Sequence, residues 1–163
     1  LSGLLFGSIF PALERGRLFE TQQSLLRQFF LARERLVREL QHVQPLSSAP
    51  SDRPEGKVVL QYHRYLEQTS NGVRFGVFDI SEVAVIDTSV VWEVFLSDRG
   101  NLVVREADNP PGTLVWGMGE KADVVCTLER QPDLIKFDFK LATEARISTR
   151  ESKNLELIIV LNR

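Results

Sequence analysis

Cysteine is almost missing from this chain. Cys126 is the only one among 163 residues, so no internal disulfide can form. Histidine is nearly as scarce, and His42 and His63 beside one cysteine give no metal-ligand spacing. Charge of one sign is lacking too: the formal net charge is −2 and the pI about 5.8, so the overall balance calls for neither nucleic acid nor an anionic membrane surface. Long apolar runs are also absent. Leu1 to Phe10 (LSGLLFGSIF) covers ten residues, about half of the ~20 that a spanning helix needs. It lacks the charged start and small-residue cleavage pattern of a signal peptide. It reads either as a buried helix end or as the stump of a longer apolar helix.

Residues 12 to 44 contain no proline and one glycine, Gly16, and are rich in Leu, Arg, Gln and Glu, which are good helix formers. Leu18, Leu25, Phe29, Ala32, Leu36, Leu40 and Val43 recur at steps of three, four or seven and trace one apolar stripe. The helix is mildly basic, with six Arg against four Glu between Ala12 and Gln44, which leaves the rest at −4. A breaker-rich stretch, 45 to 56, then ends it, because proline supplies no amide donor and restricts the residue before it.

Beyond residue 56 the character changes to short runs rich in β-branched and aromatic residues: 57 to 66, 73 to 80, 90 to 97, 102 to 106, 113 to 117, 124 to 129, 134 to 141 and 155 to 162. The clearest alternates Ile135, Phe137, Phe139 and Leu141 with Lys136, Asp138 and Lys140, as a strand with one buried face does. VVWEVFLS-DRGN-LVVRE reads as a hairpin, with Gly100 and Asn101 tolerating positive φ in its turn. DNPPG reads as a second turn.

The expected class is therefore α+β, a long N-terminal helix packed on an antiparallel β head. The expected divisions are the helix, 1–44 (an apolar projecting segment, 1–13, and an amphipathic segment, 14–44), a linker, 45–56, and a head, 57–163. A sheet with one apolar face needs a cover, and the stripe from Leu18 to Val43 offers one. The stripe does not account for Leu4, Leu5, Phe6, Ile9, Phe10 and Leu13, which surround the helix axis. A helix from Phe6 to Val43 would be roughly 55 Å long, more than the ~30 Å of a small domain, so its start should project and pack on lipid or other helices.

This layout resembles a type IV pilin or type II secretion pseudopilin: an apolar start, a proline in the helix (Pro11), a small polar step (ALERGR), an amphipathic helix and an antiparallel sheet. QQSLLRQFFLARERLVRELQHV (22 to 43) and TRESKNLELIIVLNR (149 to 163) are most similar to minor subunits of the J-type pseudopilin and W-type pilin kind. The single Cys126 departs from the disulfide-closed loop of major pilins. The resemblance implies a non-enzymatic subunit of a pilus, secretion or DNA-uptake filament that acts in filament initiation or at the tip. It also implies a bacterial inner-membrane location with a periplasmic head, insertion through a helix upstream of Leu1, and related pilin or pseudopilin subunits as partners. A membrane-tethered β-rich module that binds a ligand or peptide is the alternative.

Other residues have plainer readings. Cys126 in VVCTLE is a small core residue, and His42 and His63 are surface or satisfied positions rather than general bases. Asp98 to Asn101 and Asp108-Asn109 are turn chemistry rather than calcium ligands. GMGEKAD (117 to 123) lacks the third glycine and following helix of a phosphate loop. Arg27, Arg33, Arg35 and Arg38 form a solvated face paired with Glu, and DNA contact is the lesser reading. No cofactor, metal or catalytic group is expected.

Overall fold

The computed structural model of the chain describes residues 2–69, 72–74, 84–130, 133–142 and 152–161, with side chains described for 13, 15–17, 19–66, 85–130, 133–141 and 153–161. Among them are one helix, α1 (Ser2–Leu40), and eleven strands: β1 (Val43–Ser47), β2 (Ser51–Arg53), β3 (Gly56–Thr69), β4 (Gly72–Arg74), β5 (Ala84–Ile86), β6 (Trp92–Ser97), β7 (Asn101–Glu106), β8 (Asn109–Gly117), β9 (Asp123–Arg130), β10 (Asp133–Ala142) and β11 (Ser152–Val160). Two compact units result, Leu1–Glu34 and Arg35–Arg163.

The second unit is built from two antiparallel sheets. The larger follows the order β1-β3-β6-β7-β8, with β2, β4 and β5 also pairing with β3; the smaller follows β11-β10-β9. The fourteen residues of β3 organise the larger sheet because they are long enough to pair with five other strands. The hairpin expected around DRGN is present: β6 and β7 pair from Trp92↔Glu106 to Leu96↔Leu102. Gly100 sits in its turn at φ 72, and a Cβ there would overlap the Gly119 carbonyl.

Residues facing each other across an antiparallel pair point to the same side. Leu60, Val94 and Val104 form one such row, and Leu96, Leu102 and Trp116 another. In β10 the expected alternation holds: Ile135, Phe137, Phe139 and Leu141 are buried, while Lys136 and Asp138 are half-buried and Lys140 exposed. The two sheets meet where the Trp116 and Phe139 rings pack edge to face at 5.5 Å. Burying each large apolar side chain in this way contributes about 1.5–3 kcal/mol.

The expected α+β architecture is corrected by this arrangement: the chain is mostly β, two antiparallel sheets with one helix, and is not a long helix laid on a sheet. The physical reason lies in how the apolar face of the larger sheet is covered. Within this unit the end of α1 contributes, with Leu36 and Leu40 fully buried, and Glu39 accepts a 2.7 Å hydrogen bond from the Tyr62 hydroxyl. The smaller sheet covers that face at Trp116. A period-3.6 stripe shows that a helix has a buried side but not how much of a sheet that side covers.

Boundaries differ as well. The helix stops at Leu40, and Val43, expected on its stripe, is buried in β1. The stretch 45–56 holds some of β1 and all of β2, both pairing with β3. DNPPG is not the turn: Glu106 pairs with Asn109, so the reversal is at Ala107 and Asp108, and both prolines lie in β8. Among the described residues β8 is an edge strand, and both prolines fall in the register shift between Val104↔Thr113 and Glu106↔Asn109, where regular ladder pairing is interrupted. Of the expected strand 73 to 80, residues 75–80 lie outside the described residues.

Candidate functional site

In the first unit the described side chains of α1 present apolar groups on more than one side. Phe29 and Ala32 are buried at 8% and 1% exposure. Their neighbours Leu26, Phe30 and Leu31 remain exposed, as do Phe19 and Leu13, the last two at 60%. At 3.6 residues per turn, Phe19, Leu26 and Phe30 fall in one line, roughly a quarter-turn from the line of Phe29 and Leu36. Gln23, Arg27 and Glu34 flank that line.

Of the residues expected to pack on other subunits, only Leu13 has a described side chain, and it is exposed; those of Leu4, Leu5, Phe6, Ile9 and Phe10 lie outside the described residues, as does that of Leu18. On the expected helix-to-sheet stripe Leu25 is half-buried, and Phe29, Ala32, Leu36 and Leu40 are buried. Sequence reading missed Phe19, Leu26 and Phe30 because attention to one stripe discards apolar residues off it.

The second unit holds a charged network that sequence reading also missed. Glu93, in β6, is completely buried. One carboxylate oxygen accepts from Arg105 Nε at 2.8 Å and the other from Arg53 Nη2 at 3.1 Å. Arg105 also donates to Glu55 at 3.2 Å, and its guanidinium lies 3.6 Å over the Phe95 ring. Arg53 donates further to the Ala107 carbonyl. A second cluster joins α1 to β3: Arg64 donates to Glu39 through Nε at 2.7 Å and stacks over Trp92, while burial, and then the Glu39 charge, raises the Tyr62 hydroxyl well above its ordinary range. Arg35, on the same helix end, donates to the Leu114 and Val115 carbonyls of β8.

These clusters are closed. Among the described residues no buried side-chain polar atom lacks a partner. A shallow polar depression of about 320 Å³ lies beside Arg53, Lys57 and Asp98. Both of its cations are engaged, Arg53 with Glu93 and Lys57 with Asp123 at 2.9 Å. Burial alone would raise Asp123, but the Lys57 hydrogen bond and charge outweigh it and hold the carboxyl below its usual value. Cys126 is buried in β9, and burial pushes its thiol up to about 12, far from the thiolate a nucleophile needs. His63 Nδ1 lies 2.9 Å from the Val90 carbonyl, and His42 is half-buried. Among the described residues no group of three His, Cys, Asp or Glu could hold a metal, and no helix is long and apolar enough to cross a membrane.

Comparison with protein families, with curated proteins and with solved structures finds no match for this chain.

Proposed function

We infer that the chain is a non-enzymatic assembly subunit of the minor pilin or pseudopilin kind, whose N-terminal helix associates with helices of related subunits in a filament or its tip complex. One observation supports this reading: Leu13, Phe19, Leu26, Phe30 and Leu31 are exposed on a helix on which Phe29 and Ala32 are buried. Such a helix gains by surrounding itself with apolar neighbours, at ~25 cal/mol for each Å² covered. The mostly β architecture lends the reading nothing, so the helix carries it. Insertion in a bacterial inner membrane and a periplasmic head belong to the same proposal.

The test replaces Phe6 and Phe10 together by Asp in full-length protein in the producing cell. Assembly through the helix predicts loss of the subunit from assemblies with related subunits, since an uncompensated buried charge costs several kcal/mol, with the melting temperature of the β unit unchanged. Normal incorporation of the double variant would refute the reading.

A further inference from the structure

We propose that the Phe19, Leu26 and Phe30 face of α1 binds the same face of a second copy of this chain as a parallel, in-register helix pair. The inference deepens the assembly reading and rests on it, naming the partner of that helix.

Phe19, Gln23, Leu26 and Phe30 follow one another at steps of four, three and four, the 3.5-residue spacing of a two-helix seam. The same steps lead back through Gly16, Ala12, Ile9 and Leu5, so the sequence holds eight seam positions without a charge; Arg33 takes the next position and ends the run. Phe19, Gln23, Leu26 and Phe30 are all exposed, so the described stretch of the seam is free to be covered.

Charge complementarity selects a second copy. In a parallel pair the residue just before one seam position lies near the partner's residue five further on, so Arg15 of each helix meets Glu20 of the other, twice by symmetry. Both side chains are exposed and flank the seam.

Gln23 selects the parallel sense. An antiparallel pair aligning Phe19 with Phe30 would also pair Glu20 with Arg27, but it would bury each Gln23 against Leu26, leaving an amide without a partner. The parallel register places the two Gln23 amides together, where they hydrogen-bond. Burying a polar group unpaired is the costlier arrangement, and a single polar seam residue of this kind fixes register.

The test is sedimentation of the full chain over a concentration series. The wild type should self-associate, and Leu26→Asp should abolish association. Glu20→Arg, which sets Arg15 against a new cation, and Arg15→Glu, which sets a new anion against Glu20, should each weaken association about tenfold, a typical outcome of exchanging two attractive pairs for repulsive ones. An equimolar mixture of those two variants should recover wild-type association, because each supplies the charge the other lacks. Thermal melts of the β unit should be the same for all four proteins. Rescue of Glu20→Arg by Arg27→Glu and not by Arg15→Glu would overturn the parallel register. A wild type that stays monomeric, yet is recovered with related subunits, would overturn the pairing and leave the assembly reading standing.

Discussion

Glu93 shows how a single residue can hold strands together that are distant in sequence. Its carboxylate is fully buried between Arg53 of β2 and Arg105 of β7. A buried ion pair is weak evidence of net stability, but removing one partner leaves the other charge uncompensated. Glu93→Ala should therefore cost about 3–5 kcal/mol, read as a fall in the denaturant midpoint of the β unit; a change below about 1 kcal/mol would show that Arg105 finds equal partners elsewhere. Cys126 offers a second residue-scale outcome. Labelling by a thiol reagent in native conditions should be slow. Because burial raises the folded thiol from 9.0 to about 12, its contribution to stability is complete below the unfolded value and is lost as pH rises through that window. The alkaline loss should shrink in Cys126→Ala, and rapid native labelling would mean an accessible thiol. Asp123 runs the other way. Its carboxyl is held low by Lys57, so its contribution is present above the ordinary carboxylate value of 3.8 and is lost as pH falls from there through the lower folded value. Lys57→Met should remove that acid sensitivity, seen in melts below about pH 4.

At the scale of elements, what the sequence made legible follows from local periodicity. The strand of Ile135, Phe137, Phe139 and Leu141 and the hairpin closed at Gly100 are read correctly because period-two burial and turn chemistry are both local. The Glu93 network is illegible by the same rule. Alternation assigns a charge inside VVWEVF to a solvated face, and its partner Arg53 comes from a stretch read as linker. Val43 illustrates a boundary error: its helical spacing from Leu36 and Leu40 coincides with a buried place in β1. Within α1 the buried and exposed lines should separate on mutation. Leu36→Ala, at a fully buried position, should destabilise the β unit by about 2–5 kcal/mol, whereas Phe30→Ala, at 55% exposure, should change it by no more than about 0.5 kcal/mol. Urea titrations of the two variants make the comparison.

At the scale of the whole molecule, every buried side-chain polar atom among the described residues has a partner, while several apolar side chains of the helix are exposed. The fold class was misread because a stripe on a helix says nothing of a second sheet competing for the same surface. Of the apolar start that stands out in the sequence only Leu13 has a described side chain, which is exposed, while the Phe19, Leu26 and Phe30 line emerges only once the buried line is known. We propose this helix as an assembly surface. Its most direct test is a photo-crosslinking residue in place of Leu13, exposed at 60%, in full-length protein in the producing cell. The expected result is an adduct whose linked peptide maps to the N-terminal helix of another copy or a related subunit. Adducts only to lipid, or only to the β strands of the same chain, would contradict it.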